Sequence, residues 1–110
     1  MSNIAVILGP DNEGSQIRFK ETSEAAEKVG GIDLRFVDIT QSFDDIVEQC
    51  AGAVVLLPTG HLKGMAELAE KVGTVKLVQT FSAGTDYIDK AGLAEMGVNV
   101  SNNGGANAVA

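Results

Sequence analysis

Strand-like and helix-like apolar patterns alternate along this chain, and no other feature restricts its fold as much. Residues 3–8, Asn-Ile-Ala-Val-Ile-Leu, form the nearly continuous apolar run that a strand covered on both faces needs. Residues 51–57 and 75–81 form two more such runs, and residues 98–101 a short one. Residues 33–39 alternate only partly, which reads as a strand on the edge side of a sheet. Between these runs the apolar period lengthens to that of a helix. Ile17, Ala25, Ala26 and Val29 form the inward stripe of a helix that Ser15 can cap and Gly30-Gly31 ends. Phe43, Ile46, Val47 and Cys50 fall at i, i+3, i+4 and i+7 behind Ser42 and Asp45, which have capping-box spacing. Leu62, Met65, Ala66, Ala69 and Val72 make a third stripe, closed by Gly73, and Gly97 ends one or two short helices over residues 86–96.

The resulting order is β-α-β-α-β-α-β-α-β. Such alternation implies an α/β fold, a parallel sheet with right-handed crossovers and helices on both faces. The most apolar strand, the first, belongs inside the sheet. The expected architecture is a doubly wound five-stranded parallel sheet, flavodoxin-like, with strand order 2-1-3-4-5. Ligands of such sheets sit beyond the carboxyl ends of the strands, here the loops at Gly9, Pro58 and Ser82 and the tail at Asn102. The terminal helix that would follow the fifth strand is missing. Residues 104–110 could begin it but stop within about two turns, so one face of the sheet is expected to be under-covered.

A chain of 110 residues, 45% apolar, suits one globular domain. Its net charge of −7 argues against sequence-independent nucleic-acid binding and against an anionic membrane surface. Cys50 is the single cysteine, which excludes an intramolecular disulfide and a cysteine-based zinc site. No run of 18 apolar residues exists and no signal peptide is visible, so the cytoplasm is the default location.

The stretch over residues 75–89 carries the best candidate site. An apolar strand breaks at Ser82-Ala83-Gly84 and a helix restarts near Thr85 or Asp86. That leaves a shallow cup of backbone N–H groups suited to a carboxylate or phosphate. An ordinary βα turn has the same spacing. Other ligand classes fit less well. A flavin phosphate loop after the first strand would meet Asp11 and Glu13, and a receiver domain would need an aspartate where the chain has Pro58. No Gly-x-Gly-x-x-Gly is present. His61, the single histidine, has no visible acid or nucleophile partner and reads as a solvated loop residue. Cys50, on a core stripe, reads as a buried structural thiol.

The string Leu77-Val78-Gln79-Thr80-Phe81-Ser82-Ala83-Gly84-Thr85-Asp86-Tyr87-Ile88-Asp89, followed by Gly97-Val98-Asn99-Val100-Ser101-Asn102 and then Asn107-Ala108-Val109-Ala110, resembles the D-isomer-specific 2-hydroxyacid dehydrogenases. The resemblance implies residues 1–101 as a flavodoxin-like substrate-binding domain, and 102–110 as a tail that begins the helix to a separate NAD-binding domain. It implies that Ser82, Ala83 and Gly84 cradle the substrate carboxylate, with Ala83 and Gly84 N–H as donors. Asn107 matches a polar position near substrate and nicotinamide, and Thr59 a loop walling the pocket. The family's catalytic histidine, its acidic partner, the arginine that grips substrate and the NAD loop match nothing in this chain, and His61 is not their equivalent.

The expectation is therefore a substrate-binding fragment of an NAD-dependent dehydrogenase, inactive alone, with no catalytic, cofactor or metal residue of its own. Its partner would be a small 2-keto or 2-hydroxy acid, held weakly. The alternative is a stand-alone, non-catalytic module. In either case the under-covered sheet face is expected to drive homo-oligomerisation, with exchange of an element between chains as one route.

Overall fold

A computed structural model describes residues 3–58, 64–80 and 90–101. Strand β1 (Asn3–Gly9) leads into helix α1 (Glu13–Val29), then β2 (Ile32–Asp38), α2 (Phe43–Gln49), β3 (Ala53–Pro58), α3 (Met65–Val72), β4 (Leu77–Gln79), α4 (Lys90–Glu95) and β5 (Asn99–Ser101). The five strands form one sheet in the order β2-β1-β3-β4-β5. Every pairing is parallel. β1 is paired on both sides, as its apolar run requires, and β2 forms an edge. Register shifts once, between Ile4 and Ala5, where Ile4 pairs with Ala53 but Ala5 with Val55. The extra β3 residue is Val54.

Strand order decides which helix covers which face. The β1-to-β2 connection moves one way across the sheet and the later three move the other way. With right-handed crossovers, α1 therefore lies on one face and α2, α3 and α4 on the other. The packing agrees. Val6, Leu8, Leu56 and Val78 share one continuous core with Ile46 of α2, Met65, Leu68 and Ala69 of α3, and Leu93 of α4. The opposite face carries Ala5, Leu34, Val55 and Leu57 beside α1. There Phe19 of α1 meets Phe36 of β2 edge-to-face, with ring centroids 6.1 Å apart. The core is deepest on the three-helix face, where Leu8, Leu56 and Leu68 are fully buried. Each such side chain contributes about 1.5–3 kcal/mol by leaving water.

Local signals account for most helix boundaries. The Ser42 hydroxyl accepts the Asp45 N–H at 3.2 Å, the capping arrangement expected from their spacing. Gly73 ends α3 at φ +79°, its N–H bonded to the Ala69 carbonyl, a backbone conformation that side-chain-bearing residues resist. Leu68, absent from the expected third stripe, is one of its most buried members.

α1 ends at Val29 with Gly30 as its cap, as expected, but departs from expectation at its start and in the face it buries. It begins at Glu13, and its cap is Asn12, whose side chain accepts the Ser15 N–H at 2.9 Å. Ser15 lies in the first turn, buried at 4% exposure. Ile17 and Val29 do not face inward but stand 52% and 75% exposed. α1 packs through Phe19 on β2, which rotates Ile17 toward solvent, and among the described residues no second helix lies over the sheet beside Val29. β4 is shorter than the apolar run that predicts it. The expectation of a missing terminal helix concerns residues outside those described.

Candidate functional site

Because all five strands are parallel, their carboxyl ends share one edge of the sheet, marked by Gly9, Asp38, Pro58, Gln79 and Ser101. The sequence candidates Thr59, Ser82, Ala83, Gly84 and Asn107, together with His61, lie outside the described residues. The structure does define the points at which their segments leave the sheet. Pro58 ends β3, in register with Leu8 of β1. Thr80 follows β4 directly and is buried at 1% exposure. Its N–H donates to the Ser101 carbonyl at 2.9 Å, and its hydroxyl reaches the same oxygen at 3.5 Å. The Gln79 side-chain amide donates to the Thr80 carbonyl at 3.1 Å.

Thr80 therefore staples the end of β4 to the end of β5. The chain enters the Ser82-Ala83-Gly84 stretch from one side of that staple and the stretch that carries Asn107 from the other. Pattern reading passes over Thr80 as one residue of a strand. The available signal was a hydrogen-bonding β-branched residue at the end of an apolar run, next to a turn of small residues.

The loops at the other end of this edge are closed on themselves. The Asn12 side chain and carbonyl accept the N–H groups of Ser15 and Gln16. Asp11 accepts from the Gln16 side chain at 3.0 Å. The Asp38 carboxylate accepts the Thr40 N–H at 2.9 Å and the Thr40 hydroxyl at 2.8 Å. Those bonds, the Thr40 N–H first, together with the Asp11 N–H, hold the Asp38 carboxyl below the usual aspartate range. Gln41 donates to the Asp38 carbonyl and exchanges side-chain hydrogen bonds with Gln49 at 3.0 and 2.8 Å.

A dinucleotide does not fit this β1–α1 turn. Its pyrophosphate needs free first-turn N–H groups and close backbone approach. Here the Ser15 N–H is taken by Asn12 and acids flank the cap at Asp11 and Glu13. Cys50 is no nucleophile either. It is fully buried, and burial pushes its thiol up to about 11. Among the described residues no group of three or more His, Cys, Asp or Glu is placed to hold a metal ion. Among the same residues no helix is long and apolar enough to cross a membrane.

Comparison with known proteins bears on the whole edge. Residues 12–110 match the family model described as "D-isomer specific 2-hydroxyacid dehydrogenase, catalytic domain". Erythronate-4-phosphate dehydrogenase of Tolumonas auensis is 44% identical over 62 residues, 56% of this chain and 17% of that protein. A 3-phosphoglycerate dehydrogenase of Entamoeba histolytica, solved with bound NAD+, superposes with a TM-score of 0.75 at 22% identity, over 93% of this chain and 33% of its own. The apo D-lactate dehydrogenase of Escherichia coli superposes with a TM-score of 0.68 at 16% identity, over 89% and 30%. At such identities the structural likeness speaks for the fold. The chain spans about a sixth of the curated relative's length and about a third of each solved chain. The family match reaches from the first turn through all the candidate segments: this chain belongs to the D-isomer specific 2-hydroxyacid dehydrogenase family, in its catalytic domain.

Proposed function

We propose that these 110 residues supply the substrate-carboxylate half of a D-2-hydroxyacid dehydrogenase site. In the complete reaction a 2-keto acid, NADH and a proton give a D-2-hydroxy acid and NAD+. The part assigned to this chain is binding and orientation. The Ala83 and Gly84 N–H groups donate to the substrate carboxylate at the Ser82-Ala83-Gly84 turn, with Asn107 and Thr59 beside it. Residues 1–101 act as the substrate-binding domain, and 102–110 open the connection to a dinucleotide-binding domain. The setting is cytoplasmic.

The observation that carries this reading is the Thr80–Ser101 staple. It brings the starting points of two candidate segments together inside a region that matches the family's catalytic domain. The chemistry sets the limit. Two charge-assisted hydrogen bonds contribute roughly 1.5–3 kcal/mol each, and the lost freedom of association offsets much of that sum, which leaves about millimolar binding for the cup alone. Hydride transfer also needs a hydride source and an acid to protonate the ketone oxygen. The reading assigns neither to these residues.

The test is an NADH-oxidation assay on the 110-residue chain with 2-keto acids that include the oxidised partners of 4-phosphoerythronate, 3-phosphoglycerate and D-lactate. No turnover above the uncatalysed rate is expected. Steady turnover, retained after repurification, would show that the chain holds a complete active site. The apolar hollow that the described residues leave beside α1 favours a second reading, a non-catalytic module that associates with itself.

A further inference from the structure

The charges of the described residues are sorted between the two edges of the sheet. Acids gather at the carboxyl edge, where the candidate segments leave it. Asp11 and Glu13 follow β1, Asp38 ends β2, Asp44 and Asp45 lie in the first turn of α2, and Glu67 lies in the first turn of α3. All but Asp38 are exposed, and the hydrogen bonds from Thr40 keep Asp38 ionised. The bases lie elsewhere. Lys28 and Lys71 close α1 and α3 and Lys76 precedes β4, all at the amino edge. Arg35 sits within β2, paired with Asp33 at 2.8 Å, and Arg18 and Lys20 stand part-way along α1. Among the described residues this leaves Lys90, the first of α4, as the one base toward the carboxyl edge.

Helix starts at such an edge ordinarily favour a bound anion. Here the chain's own groups already occupy them. The Asn12 side chain holds the Ser15 N–H and the Ser42 hydroxyl holds the Asp45 N–H, and α1, α2 and α3 each carry an acid in the first turn. A substrate carboxylate at the Ser82-Ala83-Gly84 turn adds one negative charge to this edge. A phosphoryl group on the same molecule brings roughly 1.5–2 more. That added charge meets repulsion from three successive βα connections, and the helix dipoles that could offset it are already complemented.

We infer that this acidic edge selects substrates whose only charge is the 2-hydroxy or 2-keto carboxylate, and disfavours those that carry a phosphoryl group or a second carboxylate. The inference rests on the carboxylate reading of the Ser82-Ala83-Gly84 turn and adds to it the class of substituent, a neutral one. The discrimination is electrostatic and comes from exposed groups, so salt weakens it.

D-glycerate and 3-phospho-D-glycerate differ only in the phosphoryl group. Amide-resolved NMR titration of the 110-residue chain with each, at ionic strengths held at about 0.1 M and about 1 M, tests the inference, since the Debye length falls from about 10 to about 3 Å between them. At the lower salt D-glycerate is expected to bind at the Ala83 and Gly84 amides at least about threefold tighter than its phosphorylated form, and at the higher salt the ratio should fall toward one. Glu13→Gln, Asp44→Asn and Glu67→Gln combined remove one exposed acid from each helix start. The combined variant should keep the circular dichroism of the parent and narrow the low-salt ratio at least about twofold. The salt series needs no variant, so it decides the matter if the combined variant fails to fold. Equal affinities in the parent at the lower salt, or tighter binding of the phosphorylated acid, overturn the inference while leaving the carboxylate reading in place. So does a preference that salt leaves unchanged. No saturable shift with D-glycerate is the separate failure, which removes the carboxylate reading and the inference with it.

Discussion

At the scale of single residues, Cys50 shows how burial alone sets chemistry. It follows α2, packs in the three-helix core and has no exposed surface. Its thiol is raised from 9.0 to about 11 by desolvation. A raised pKa stabilises the fold fully below the unfolded value, and that stabilisation is lost as pH climbs toward the folded value. Urea unfolding should therefore show a loss of about 2–3 kcal/mol between roughly pH 9 and pH 11. Cys50→Ala should flatten that part of the profile. The native thiol should also resist an aromatic disulfide reagent at pH 8 and react at once in denaturant. Rapid native labelling would contradict the burial. Cys50 was legible in the sequence because the i, i+3, i+4, i+7 stripe placed it. Thr80 was not, because its importance lies in a bond to Ser101, 21 residues away, that no local pattern encodes.

Among the elements, α1 marks where local reading stops. Asn12 and Ser15 are both good capping residues, three apart, and composition cannot rank them. The backbone does: Asn12 is extended at φ −143°, ψ 174°, and its side chain takes the Ser15 N–H. Asn12→Ala should cost about 1 kcal/mol in chemical denaturation, the usual loss for a cap. No loss would mean that α1 starts elsewhere. The capping arrangement of α2 and the glycine end of α3 were readable because each depends on residues within one turn. The burial face of α1 was not readable. It is chosen by the Phe19–Phe36 contact, which depends on the tertiary arrangement.

For the whole molecule, alternation of strand and helix patterns was enough to give a parallel sheet of order β2-β1-β3-β4-β5. That order sends α1 to one face and three helices to the other and lines up every carboxyl end on one edge. The candidate site follows less directly. Ser82, Ala83 and Gly84 are recognised by their family pattern, and an N–H cup is a property of backbone conformation that small-residue spacing shares with ordinary turns. The proposed role of this turn is to bind the carboxylate of a 2-hydroxy acid. Amide-resolved NMR titration of the 110-residue chain with 4-phosphoerythronate, with D-lactate and with inorganic phosphate tests it most directly. Saturable shifts are expected with a dissociation constant of about 1 mM or weaker, largest at the Ala83 and Gly84 amides and carried to Thr80 and Ser101, for both acids. No saturable shift at those amides, or the same response to inorganic phosphate alone, would contradict it.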